Sequence, residues 1–262
     1  MGAMESVAHL LKSNPEVVVS QRNAFGETLL HTAVLNQHLD LVQLLLQHGA
    51  DANDALPSNG VSKSTLESVA PRTENFQYSR ILHAAEATPV HYACGVGNLD
   101  ILKLLLGSST RYKRTEPFVV RRPGSLLVWA ITGGHPHIVE YLLLKKRIEE
   151  DCFDEDGNNS IGIAALCLGA RSRQDKLQQI LRLLVRSDGI DINHKNMYGL
   201  TPYDTAEEDH VKELIHRLGG RTARIVDIDK LLRWDREQYR KEVTYSRRRP
   251  RSIQLRAPED AS

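Results

Sequence analysis

Gly26-Glu27-Thr28-Leu29-Leu30-His31-Thr32-Ala33 decides how this chain folds, because the octet returns in register further along. It reappears as Ala87-Thr88-Pro89-Val90-His91-Tyr92-Ala93 and as Gly199-Leu200-Thr201-Pro202-Tyr203-Asp204-Thr205-Ala206. Two degenerate copies lie between, Gly124-Ser125-Leu126-Leu127-Val128-Trp129-Ala130 and Gly157-Asn158-Asn159-Ser160-Ile161-Gly162-Ile163-Ala164. An apolar run with helical spacing follows each of the first four, at 39–46, 99–106, 138–144 and 180–185. Two copies share a closing string, Gly49-Ala50-Asp51-Ala52-Asn53 and Gly189-Ile190-Asp191-Ile192-Asn193. Self-similarity at a fixed period is the mark of a stacked-repeat architecture.

The local chemistry explains why each copy starts a helix. Thr28, Thr88 and Thr201 stand where a helix N-cap is wanted, and Pro89 and Pro202 stand at the first helical position. The alanines let two helices approach closely, and the Leu-rich second helix buries one face against each neighbour. A single unit buries too little apolar surface to offset its ordering entropy, whereas a stack of units does.

This pattern resembles the ankyrin repeat, a unit of about 33 residues with a T-P-L-H-x-A signature. The resemblance is close in the first, second and fifth copies, looser in the third and fourth, and spans roughly residues 5–220. It implies an all-α ankyrin-repeat solenoid of about five repeats plus a partial N-terminal repeat, with a helical C-terminal extension. Glu5 to Lys12 reads as the second helix of the partial repeat. The repeat domain is bounded at 4–220, since Met1 to Ala3 reads as a leftover of engineering ahead of a natural start at Met4.

Measured at Ala33, Ala93, Ala130, Ala164 and Ala206, the repeat spacings are 60, 37, 34 and 42. The first interval therefore holds a long insertion, about residues 54–80, with 54–60 reading as loop and 62–70 as a candidate short helix. The last interval carries a smaller excess around Gly169 to Gln174. Beyond Gly220, Ile228, Leu231 and Leu232 share one face of a predicted helix running from Asp227 to about Val243, so 221–245 reads as a C-terminal cap or a docking helix. Residues 246–262, rich in Arg and Pro, read as a basic disordered tail.

Bulk properties narrow the function. Hydrophobic residues make up 41% of the 262 residues and charged residues 26%, as in soluble folded proteins. Aromatics are only 5%, so the core is expected to be mainly Leu, Ile, Val and Ala. A net charge of +1 makes no case for nucleic acid or a membrane surface, but it is unevenly spread. From Arg221 onward, 12 basic residues face 7 acidic ones, while the preceding 220 residues carry 22 and 26. No run reaches the roughly 18 apolar residues of a membrane span. The three cysteines, Cys94, Cys152 and Cys167, show no C-x-x-C spacing and suggest a reducing compartment, cytoplasmic or nuclear.

Candidate chemistry fails on pattern. Asp154-Glu155-Asp156-Gly157-Asn158-Asn159 is acidic enough for calcium, but an EF-hand started at Asp154 would have Asn159 where Gly belongs and Ala165 where Glu belongs. No phosphate-binding G-x-x-x-x-G-K-[ST] loop, G-x-S-x-G elbow or H-E-x-x-H helix occurs. The ankyrin resemblance implies that His31 and His91 bridge turn backbone groups. His135-Pro136-His137 occupies an inter-helix turn, where a metal reading is weak. No cofactor, metal or catalytic residue is implied.

The resemblance implies instead a partner protein held on the concave face, which is made by turn fingers and first helices. Residue by residue, that face takes Phe25, Glu27, Leu35 and Asn36 from the first copy and Arg121, Arg122 and Thr132 from the third. Met197, Tyr198 and Leu200 come from the fifth. Ala24, Val96, Glu155, Asp156, Asn158, Leu166, Cys167, Glu208 and Asp209 belong to the same positions. Phe25, Met197, Tyr198, Arg121 and Arg122 are of the types that anchor interfaces, although packing on neighbouring loops would also account for the apolar ones. The expected function is a protein–protein interaction adaptor or scaffold, monomeric by itself. Two alternatives stay open: a nuclear regulator touching nucleic acid through Arg247-Arg248-Arg249-Pro250-Arg251, and a host-directed ankyrin effector of an intracellular pathogen.

Overall fold

The computed structural model describes residues 2–57, 86–108, 125–144, 152–154, 156–169 and 171–227. Among these, helices α1 (Gly2–Ser13) and α2 (Pro15–Ser20) precede five helical pairs. The pairs are α3 (Leu29–Leu35) with α4 (Leu39–Gln47), α5 (Pro89–Val96) with α6 (Leu99–Ser108), and α7 (Leu126–Gly133) with α8 (Pro136–Leu144). They continue with α9 (Ser160–Cys167) and α10 (Gln174–Arg186), then α11 (Pro202–Thr205) and α12 (Asp209–Arg217). No β-sheet forms among the described residues; Arg22 and Thr28 make an isolated antiparallel bridge.

The first helices stack in one unbroken row, α3 on α5, α5 on α7, α7 on α9 and α9 on α11. Behind them the second helices pack, α4 on α6 and α8 on α10. Composition follows position. A first helix is enclosed by two neighbours and its own partner, so α7 buries Leu126, Leu127, Val128, Trp129, Ala130, Ile131 and Thr132 in an unbroken run. A second helix keeps one face in water. In α10 the buried residues Leu177, Ile180, Leu181 and Leu184 recur at intervals of three, one and three, with Arg182 exposed between them. Each such Leu or Ile contributes roughly 1.5–3 kcal/mol when removed from water.

The aliphatic core has one aromatic departure. Tyr92 and Trp129 are among its largest fully buried side chains. Their rings stack 5.7 Å apart, with His31 edge-on to Tyr92 at 5.2 Å and His91 tilted against Trp129 at 5.5 Å. Low aromatic content therefore does not mean an aromatic-free core, because the chain concentrates two of its large rings at the second and third repeats.

The insertion is closed at its base. Leu56, buried near the start of the insertion, donates its backbone N–H to Ala87 O at 2.9 Å, so the insertion's first residues are hydrogen-bonded to the chain beyond its end. Residues 58–80 of the predicted insertion, including the candidate helix at 62–70, lie outside the described residues. The smaller excess in the fourth repeat falls where the spacing places it, as a 3-10 turn at Arg171–Arg173 ahead of the long helix α10. After α12 a helical turn begins at Ala223, four residues before the predicted start, with Thr222 O accepting from Ile225 and Val226. Residues 228–245 and the basic tail lie outside the described residues.

Candidate functional site

Three of the turns that precede a first helix share one construction. At the first finger, Asn23 Oδ1 accepts from the backbone N–H of Phe25 at 2.9 Å and of Glu27 at 3.0 Å. At the fourth, Asp154 Oδ1 accepts from Asp156 at 3.0 Å and Asn158 at 2.8 Å. At the fifth, Asn196 Oδ1 accepts from Tyr198 and Leu200, both at 3.0 Å. Each turn then carries a glycine in the left-handed region, Gly26, Gly157 and Gly199, with φ of +77°, +76° and +75°. L residues, which carry a Cβ, adopt that conformation only with strain. A side-chain acceptor, a left-handed glycine three residues later and a Thr or Asn cap two residues beyond that thus make a rigid fingertip.

The cap positions also tie one repeat to the next. His31 Nδ1 accepts from the Thr28 N–H at 3.2 Å, which leaves the proton on Nε2, and Nε2 donates to Ala87 O at 3.3 Å. Burial is the main force lowering the His31 pKa to about 4, so the ring is neutral in the fold. In the fourth repeat the cap is Asn159, which accepts from Gly162 N–H and donates to Asp191 O at 2.7 Å. In the fifth, Asp204 replaces the histidine: Oδ2 accepts from Thr201 N–H at 3.1 Å and from Ala223 N–H at 2.7 Å. The expectation that His31 bridges turn backbone groups matches this geometry, and His91 Nδ1 likewise meets Thr88 N–H at 3.2 Å. His135 and His137 each donate to a carbonyl of the preceding repeat, Gly95 O and Gly97 O, both at 2.9 Å. Among the described residues no His, Cys, Asp and Glu cluster could hold a metal ion.

The predicted surface residues divide. Glu27 is only 5% exposed. Its carboxylate accepts from the buried Tyr92 hydroxyl at 2.7 Å and from Asn23 Nδ2 at 2.8 Å, so it joins two repeats rather than meeting a partner. Thr132 is buried as well, with its hydroxyl donating to Val128 O at 2.7 Å. Asn158 is buried and accepts from Asn196 Nδ2 at 2.9 Å. Repeat register alone places these three on the exposed face; the neighbouring repeat covers Glu27 and Asn158, and Thr132 turns in on its own helix. Phe25 and Leu35 are half-buried, and Asn36 is exposed with Nδ2 donating to Thr32 O. Arg121, Arg122 and Glu155 lie outside the described residues.

Of the apolar residues expected on the concave face, three exposed ones stand together at the fifth finger. Met197 is 64% exposed, Tyr198 66% and Leu200 41%, with Leu166 exposed on α9 of the fourth repeat. Fingers four and five are physically joined: Met197 N–H donates to Asp156 O at 3.0 Å and the Tyr198 hydroxyl to Asp156 Oδ1 at 3.2 Å. That carboxylate holds the phenol above its ordinary pKa. His194 Nε2 completes the joint at Gly157 O, 3.1 Å away. The first finger is different, because the base of the insertion lies against it. Arg22 contacts the Asp54 carboxylate, Gly26 O and Ala55 O, and a Cβ added at Gly26 would meet Pro57 Cδ at 2.5 Å. Sequence reasoning missed the finger acceptors Asn23, Asp154 and Asn196, although their recurrence three residues before each glycine was there to be found.

Comparisons with known proteins agree with this architecture. A family model described as ankyrin repeats in three copies matches residues 2–116 and 90–196. The chain is similar to an ankyrin repeat domain-containing protein, SAT10, of Stachybotrys chartarum, with 24% identity over 238 residues. That alignment takes in 85% of this chain, which spans only 11% of the length of that relative. It is also similar in fold to the crystal structure of an ankyrin repeat domain from Acinetobacter baumannii, with a TM-score of 0.56 and 21% identity over 84% of this chain and 97% of that one.

Proposed function

This chain belongs to the ankyrin-repeat family, a family of protein–protein interaction modules, and from that premise we propose that it is an adaptor or scaffold. It binds a partner protein at the joined fourth and fifth fingers. The observation that carries this reading is the cluster of Met197, Tyr198 and Leu200, exposed on a turn that Asn196 and Asp156 hold rigid. Rigid, exposed apolar side chains lose little conformational entropy on binding, which is why aromatic anchors dominate interface energetics. The first finger contributes less, since the base of the insertion packs on it.

We place it in a reducing compartment, cytoplasmic or nuclear, on the absence of C-x-x-C spacing among its three cysteines. No described helix is long and apolar enough to cross a membrane. The reading is tested by affinity capture from the native source with the wild-type chain beside Met197→Asp, Tyr198→Ala and Leu200→Asp combined. A partner retained by the wild type and lost by the triple variant, with unchanged circular dichroism and Tm, supports it. Equal recovery by both removes this face from the interface.

A further inference from the structure

We propose that the arginine-rich segment at residues 247–256 of this chain docks on its own fourth and fifth fingers and so competes with a partner for them. This inference rests on the reading of that face as the binding surface.

Charge complementarity is the first argument. Segments 152–169 and 196–211 build the two fingers and their first helices and contain no Lys or Arg. They carry seven acidic residues, of which Asp156, Glu207, Glu208 and Asp209 are exposed, with His210 as the sole histidine. Among the nearby cations Lys195 pairs with Asp227 and Lys176 lies toward His135, while Arg173 reaches both His135 and Cys167 and Lys212 follows one turn after Glu208, so the face keeps an excess of exposed carboxylates over cations. The segment Arg247-Arg248-Arg249-Pro250-Arg251-Ser252-Ile253-Gln254-Leu255-Arg256 carries five arginines and no acid. Its Ile253 and Leu255 alternate with polar residues, so an extended chain would present both to one side. That pairing of cations with two aliphatic side chains complements a face that combines carboxylates with Met197, Leu200 and Leu166.

Tethering is the second argument. The described chain ends at Asp227, whose carboxylate contacts Lys195, next to the finger residue Asn196. The segment is therefore anchored beside its target. If 227–243 is helical, as its pattern predicts, it extends about 24 Å at 1.5 Å per residue. The 13 residues from 243 to 256 then reach back about 43 Å at roughly 3.3 Å each. An intramolecular segment sees its site at an effective concentration on the order of millimolar, so even weak docking is populated.

The test uses the full chain with p-benzoylphenylalanine replacing Tyr198, irradiated at low concentration and read by mass spectrometry of the monomer band. A second probe at Leu200 guards against a local effect of losing the Tyr198 hydroxyl. The proposal expects cross-links into residues 246–256. They should fall at least about five-fold in high salt, where the screening length shrinks to about 3 Å, and when Arg247, Arg248, Arg249 and Arg251 are all changed to Glu. Cross-links to other parts of the chain, links only between two copies, or yields indifferent to charge reversal would overturn it. Partner capture that depends on Met197, Tyr198 and Leu200, together with an absent intramolecular link, would sink this inference while leaving the binding face standing.

Discussion

Replacing Tyr92 with Phe should weaken the junction of the first two repeats out of proportion to the single oxygen removed. The Tyr92 ring is wholly buried and its hydroxyl donates to Glu27 Oε1 at 2.7 Å. Glu27 lies 5% exposed, with Asn23 Nδ2 on its other oxygen. A hydrogen bond to a charged group contributes about 1.5–3 kcal/mol, and a buried carboxylate left short of a donor bears its desolvation cost. The expected loss is therefore about 2 kcal/mol, or roughly 4–8 °C in Tm for a domain of this size. Thermal melts of the single variants Tyr92→Phe and Glu27→Gln and of the double variant form a cycle. The account expects a coupling of at least about 1 kcal/mol, because a neutral amide at position 27 tolerates the missing hydroxyl better than a carboxylate does. A Tyr92→Phe protein within about 0.5 kcal/mol of wild type, or strictly additive single losses, would refute the reasoning.

Three further outcomes follow from the same geometry. Burial lowers the His31 pKa from 6.5 to about 4, so the unfolded chain binds the proton first; stability is full above pH 6.5, falls between pH 6.5 and 4 by up to about 3 kcal/mol, and levels off below that. Denaturant midpoints across this window should show a slope that is reduced in a His31→Asn variant, and an unchanged slope would count against His31. Asn196→Ala removes the acceptor for Tyr198 and Leu200 N–H and should cost about 1–2 kcal/mol, seen as faster hydrogen exchange confined to 197–200. Gly133→Ala places a methyl against Gly95 O and the His135 ring and should lower stability by about 1–3 kcal/mol, checked by urea denaturation.

The helical pairs were legible because repeat periodicity is a property of the chain itself. Thr28, Thr88 and Thr201 announce helix starts, and the Leu-rich runs carry their own spacing. The face was less legible, because exposure depends on the neighbouring repeat. Glu27 and Asn158 occupy finger positions in register, yet Tyr92 from the next repeat covers the first and Asn196 the second. Thr132 follows the same logic, as a polar residue turned inward onto its own helix carbonyl. Met197, Tyr198 and Leu200 stay open because, of the described residues, only the short turn at 222–227 follows α12. Asp204 is hard to read from the sequence because it stands at the histidine position of the T-P-L-H-x-A signature, although a carboxylate accepts the same Thr201 N–H.

Whether the fifth finger touches another protein can be asked directly by placing a photo-crosslinking residue at Leu200 in native cells, beside a control at Arg182, which is exposed on α10. A discrete protein captured from position 200 and absent from position 182 is what the account predicts. Equal labelling at both positions, or capture from 182 alone, would contradict it.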